Sequence, residues 1–159
     1  MNSIMRDRYP TFELYQALRD ELMNLLTDTD LAFEINEANP TLGALCREIG
    51  ETERSYIASF QTFTQDFSYR TPDPALEHSL NVLKFWYTEL DRDLRAAVER
   101  LTDEDIATRT IDRGGGFRLP PSTQLIFYQE ALLIFYGKVS VYLKALGRTL
   151  PEQWQVWIG

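Results

Sequence analysis

Four long stretches of this chain place apolar residues three and four positions apart, and almost nothing alternates with period two. Such spacing makes amphipathic helices and leaves little material for a sheet. The first stretch carries Tyr15, Leu18, Leu22, Leu25 and Leu26, with Pro10 near its start. The second is expected to open at Asn39-Pro40, Pro suiting a first helical position, with the stripe Leu42, Leu45, Cys46, Ile49, Tyr56, Phe60 and Phe63. The third is expected from Asp73-Pro74 and carries Leu76, Leu80, Leu83, Trp86, Tyr87, Leu90, Leu94, Val98 and Leu101. The fourth should run from near Pro121-Ser122 to Leu146, with Gly147 as its cap residue and Pro151 beyond.

Between the third and fourth helices lies a longer, less regular crossover. Thr102, with Asp105 three residues on, predicts a short capped helical turn. Thr110 to Leu119 brackets Gly114-Gly115-Gly116 and predicts a small hairpin or loop. Trp154 and Trp157 are expected to fold back as a lid over one end. Four helices joined by one long crossover make an all-α four-helix bundle. With no internal repeat or linker, residues 1–159 read as one domain.

The fourth helix is apolar nearly all round from Leu125 to Tyr136. Either it is the central helix of the bundle or its outer face meets a second subunit. The expectation is a homodimer through this helix.

Composition removes several classes of function. A single His and a single Cys cannot build the usual cysteine and histidine zinc sites, an internal disulfide or a CxxC redox pair. Glu-x-x-His, the signature of carboxylate-bridged di-metal bundles, does not occur. A net charge of −8 without a compensating Lys/Arg block makes nucleic acid and anionic membranes poor partners. The longest apolar run, Ala131 to Tyr136, is far short of a membrane span. An unpaired cysteine and an N-terminus without a signal-peptide pattern lead to an expected cytoplasmic location.

Few residues remain that could carry chemistry. On the third helix His78 falls about 145° from the centre of the apolar stripe and should face solvent. Cys46 lies on the apolar face of the second helix and reads as a small buried hydrophobe. Glu53 lies about 30° from that helix's stripe centre, where a carboxylate must find a partner or raise its pKa. An ion pair or hydrogen bond to an Arg or a Tyr hydroxyl is one reading of Glu53, a pocket-lining acid the other. Glu48 and Glu51, about 110° and 170° from the centre, read as a solvated face. Arg113 and Arg118 flank the triple glycine; a simple turn is the first reading, and anion binding over a flexible backbone the second.

Two stretches resemble the DinB/YfiT-like family of bacterial four-helix-bundle proteins. One runs from Asn39 to Tyr56, with a Thr-Leu-Gly turn at 41–43 and Glu53-Arg54 further on. The other runs from Gln129 to Pro151, with Phe135-Tyr-Gly-Lys-Val139 followed by Tyr142-Leu-Lys-Ala-Leu-Gly147. The family writes the latter as His-x-x-x-His-x-Gly-Gln-Ile and then Tyr-Leu-x-x-Leu-Gly. The resemblance implies a divalent metal held by one histidine of the second helix and two of the fourth, and in some members thiol-dependent transfer or isomerisation. Carried across, the three ligand positions fall on Glu48, Ala131 and Phe135. Gly137 is kept and Lys138 replaces the Gln.

The expectation is therefore a bundle without the family's metal or other cofactor, leaning away from an enzyme. It would bind a small apolar or aromatic molecule, or serve as an interaction module. The ligand pocket is expected between the second and fourth helices, lined by Glu48, Glu53, Tyr128, Ala131, Phe135 and Tyr142, with Glu53 as polar anchor. The alternative is a metal-dependent thiol transferase or hydrolase, with Zn or Ni at a non-standard site built on Glu48.

Overall fold

The computed structural model describes residues 1–158, and their side chains as far as Val156. A short helix α1 (Ser3–Asp7) leads into the first bundle helix, α2 (Tyr9–Met23). After the single turn α3 (Asp28–Leu31) come the second bundle helix, α4 (Leu42–Thr62), and the third, α5 (Leu80–Glu99). The crossover holds α6 (Asp103–Thr108) and a two-stranded hairpin, β1 (Ile111–Asp112) and β2 (Arg118–Leu119). The fourth bundle helix, α7 (Pro121–Ala145), and a terminal helix α8 (Glu152–Ile158) complete the chain. The all-α bundle and its long crossover are as the periodicity dictates.

Helix α4 packs on both α5 and α7, while α2 completes the bundle against α5 and α7. Their shared interior is a single apolar core in which Leu22, Leu83, Leu94, Leu132, Val139 and Leu143 are fully enclosed.

Two helix starts differ from the sequence expectation. Helix α4 begins at Leu42 because Thr41 is extended and its hydroxyl accepts the Ala44 N–H at 3.1 Å. Pro40 thus stands outside the helix, and its carbonyl accepts the Tyr142 hydroxyl at 2.6 Å. Asp73-Pro74 opens only a 3₁₀ turn, Pro74–Glu77. The chain breaks at His78 and Ser79 before α5 starts at Leu80. The turn buries Leu76 and lies so close to α4 that a Cβ on Gly43 would stand 2.2 Å from the Glu77 carbonyl oxygen.

The crossover follows its local signals. Thr102 and Asp105 form a capping box on α6. In the hairpin Ile111 faces Leu119 and Asp112 faces Arg118. Gly114, Gly115 and Gly116 all take positive φ, 85°, 58° and 82°, a backbone that glycine accommodates without a Cβ clash. Gly147, at φ 70°, ends α7. The chain then folds back, and Trp154 is buried edge-on against Tyr136, ring centroids 5.3 Å apart. The lid is thus formed by Trp154; the side chain of Trp157 lies outside the described residues.

Helix α7 is not central. Leu133, Ile134 and Val141 on its outer side are 38%, 61% and 53% exposed. No helix among the described residues is long and apolar enough to cross a membrane.

Candidate functional site

Leu45, Glu48, Ile49 and Thr52 fall at i, i+3, i+4 and i+7 on α4; Ala131, Ile134, Phe135 and Lys138 repeat that spacing on α7. Each set is one helix face, and the fold turns the two faces together around a cleft of about 160 Å³. The small Ala131 side chain leaves room between larger neighbours. Phe135, 3% exposed, forms part of the wall and the edge of the core.

A second lobe of about 390 Å³ shares Leu45, Glu48 and Lys138 and continues to Ile35, Asn39, Pro40, Val141 and Tyr142. Tyr142 is buried, and its ring meets Phe33 edge-on at 6.3 Å. Neither Glu48 nor Lys138 has a hydrogen-bond or ion-pair partner among the described residues, so both charges are open to a ligand.

The structure thus gathers Glu48, Ala131, Phe135 and Tyr142 along one cleft, but it does not bring Glu53 or Tyr128 there. Glu53 is fully buried toward α2 and α5, where Arg19 donates from Nη1 to Glu53 Oε2 at 2.9 Å. Arg19 also donates from Nη2 to Asp91 Oδ2 at 2.5 Å, and its guanidinium lies 4.1 Å from the Tyr87 ring centroid. Gln16 holds the other Asp91 oxygen at 2.5 Å.

Of the two readings open for Glu53, the buried carboxyl with an Arg partner is the one realised. Its place near the stripe centre marks the middle of the core, and the cleft opens to the side of that line. Burial pushes the Glu53 carboxyl up to about 8; Arg19 opposes the rise and the Asp91 charge adds to it. Burial likewise raises Tyr128, helped by the Glu53 charge. Among the described residues, Glu53 Oε1 and the hydroxyls of Tyr9 and Tyr128 are buried without a hydrogen-bond partner.

Glu51 overturns the solvated-face reading. It is 4% exposed because residues 63–79 cross over it: its carboxylate accepts the Thr71 N–H at 3.0 Å and pairs with Arg47 at 3.4 Å and Arg70 at 3.6 Å. Glu48, one turn away, is exposed as expected. His78 is exposed, though at the break before α5 rather than within a helix. Cys46 is fully buried, its thiol pushed up to about 12 by burial, so it holds no reactive thiolate.

Sequence reasoning missed Leu45, Ile49, Thr52, Ile134 and Lys138 as cleft residues. The matching spacing on the two helices was the available signal. The donor chemistry of the cleft does not suit a divalent ion: Glu48 brings one carboxylate, Ala131 no donor and Phe135 a hydrocarbon ring. Among the described residues no group of three or more His, Cys, Asp or Glu side chains is gathered for a metal.

No family model matches the chain, and no curated protein matches it. The crystal structures that share its fold include two DinB-like proteins. A DinB-like protein from Bacillus cereus ATCC 10987 superposes with a TM-score of 0.74 at 20% identity, over 90% of this chain and 93% of that one. A DinB-like protein from Bacillus subtilis gives 0.68 at 21% identity, over 88% and 92%. The chain has the DinB-like fold; at this identity the likeness carries the fold alone.

Proposed function

We propose that this protein is a DinB-like bundle that works without a bound metal, taking a small apolar or aromatic molecule into the cleft between α4 and α7. The observation that supports it is the cleft itself. Five of the eight residues around its first lobe, Leu45, Ile49, Ala131, Ile134 and Phe135, are apolar, and the unpaired Glu48 and Lys138 lie where the two lobes join. Ligand sites have this character, an apolar wall with a few placed polar groups. The neutral aromatic dye N-phenylnaphthylamine tests the reading. It should bind saturably with one dye per chain, and Ala131→Trp, or Thr52→Trp from the opposite wall, should abolish the binding. Binding that neither variant changes, or none at all, would overturn the cleft reading. A stoichiometric divalent ion in purified protein, lost on Glu48→Ala, would instead establish the metal-dependent alternative.

A second reading rests on Gly137. This helical glycine has open space where a Cβ would stand, so no packing among the described residues requires it. Glycine inside a helix costs about 1 kcal/mol relative to alanine, and its neighbours on the outer face are the exposed Leu133, Ile134 and Val141. A second copy of the chain, packing its own α7 closely there, would account for both. Sedimentation should then give a dimer at micromolar concentration. Leu133→Glu should dissociate it, and Gly137→Ala should weaken it while raising the stability of the monomer. A monomeric wild-type protein would end this reading.

A further inference from the structure

Among the described residues three arginines are not exposed: Arg19, Arg47 and Arg113. Arg19 sits between Glu53 and Asp91, and Arg47 between Glu51 and Glu77. Among the described residues Arg113 has no carboxylate within ion-pair distance, in a chain with eight more acidic than basic residues. A half-buried cation without a counter-ion is costly unless other groups replace its water. Here aromatic faces and neutral acceptors do so. The guanidinium lies 5.3 Å from the Phe127 ring centroid, 5.5 Å from Phe67 and 5.6 Å from Tyr56.

The guanidinium is also fixed in place. Nη1 donates to Gln124 Oε1 at 2.7 Å and to the Tyr56 hydroxyl at 3.4 Å. Gln124 is itself fully buried, its amide nitrogen donating to Ser59 Oγ at 2.9 Å and to Gln65 Oε1. The Arg113 backbone is held in the hairpin through its N–H to the Phe117 carbonyl at 2.8 Å. Nε and Nη2 have no acceptor among the described residues and are not sealed from solvent. One edge of the fork is thus pinned and the other is free, in the geometry that takes a planar oxyanion with two parallel bonds.

Its position gives the site a direction. Tyr56 and Phe127, the rings beside the Arg113 guanidinium, lie one helical turn beyond the cleft-lining Thr52 on α4 and Ala131 on α7, so Arg113 stands past that end of the cleft. Glu48 lies eight residues back along α4 from Tyr56, about 12 Å at helical rise, and would repel an anion from that end. Exposed Glu130 acts on Tyr56 through space without pairing with Arg113. Phe67 and Phe117, 46% and 50% exposed, extend the aromatic surround to the surface.

We propose that Arg113 anchors the carboxylate or sulfonate head of an aromatic monoanion whose body lies along the Tyr56 and Phe127 end of the cleft. This rests on the cleft reading and adds the sign and position of the ligand's charge. The test is a matched pair of dyes titrated against the whole chain: anilinonaphthalenesulfonate and its uncharged parent, N-phenylnaphthylamine. The sulfonate should bind about tenfold more tightly than the parent in low salt, and raising the salt to about 0.5 M should shrink that advantage.

Arg113→Met should remove the advantage, bringing the sulfonate's affinity to that of the parent measured on the same variant, while Arg113→Lys should keep a part of it. Equal affinities for the two dyes, or an advantage that survives Arg113→Met, would overturn this inference and leave the cleft reading standing. Failure of both dyes to bind would overturn the two together. The salt dependence needs only the wild-type chain: an advantage that salt leaves unaltered would overturn the inference even where Arg113→Met does not fold.

Discussion

At the scale of single residues the most consequential group is the buried cluster of Arg19, Glu53 and Asp91. One guanidinium serves two carboxylates, and Glu53 Oε1 is left without a donor. Burial raises both acids, against the attraction of Arg19. The fold therefore favours a proton on this pair. For Glu53, raised from 4.5 to about 8, the stabilisation is complete below the unfolded value and is lost as pH rises through the folded one. Urea unfolding should show stability falling by roughly 3–4 kcal/mol between about pH 5 and about pH 8. Glu53→Gln, which keeps the acceptor for Arg19 without the charge, should flatten that slope. A wild-type profile flat over the same range would mean that Glu53 stays ionised throughout. Acid below this window acts on different groups: Asp30 and Asp105 are held below 3.8 by backbone and side-chain hydrogen bonds, and their contribution is lost only as pH falls through their lowered values.

Among the elements, α4 is the one whose surroundings its own sequence conceals. A helical wheel gives it one apolar face, yet it is covered on a second side by residues 63–79. Glu51 holds that strap through the Thr71 N–H and Arg70. Arg47 reaches from Glu51 to Glu77, and Gly43 admits the 3₁₀ turn. Replacing Glu51 with Ala leaves the Thr71 N–H without its acceptor and takes one carboxylate partner from Arg47 and from Arg70. The loss should be about 1–3 kcal/mol of stability, with faster hydrogen exchange at Thr71 than at the α4 amides. Glu51→Gln should keep the Thr71 protection and lose only the charge pairing. Exchange at Thr71 unaltered by Glu51→Ala would show that the strap is held by its apolar contacts instead.

For the molecule as a whole, periodicity alone determined four helices, one long crossover and a single all-α bundle, because a stripe at 3–4 spacing buries its apolar area only as a packed helix. Short-range chemistry likewise determined the capping box at Thr102, the glycine hairpin and the stop at Gly147, since each depends on neighbours within a few residues. The starts at Pro40 and Asp73 were misjudged because a Thr cap and a 3₁₀ turn competed with the simpler proline signal. Glu48, Ala131, Phe135 and Tyr142 were legible as neighbours of a cleft through the family pattern and their helix faces. The direction of Glu53, the burial of Glu51 and the aromatic setting of Arg113 were not. Those depend on contacts between residues 19 and 53, 51 and 71, and 56 and 113. A wheel ranks residues around one axis and carries no information about which other segment will cover them. Only tertiary packing, which brings distant segments together to bury the stripes, decided which carboxylates were enclosed and that Arg113 was half-buried among rings and neutral acceptors.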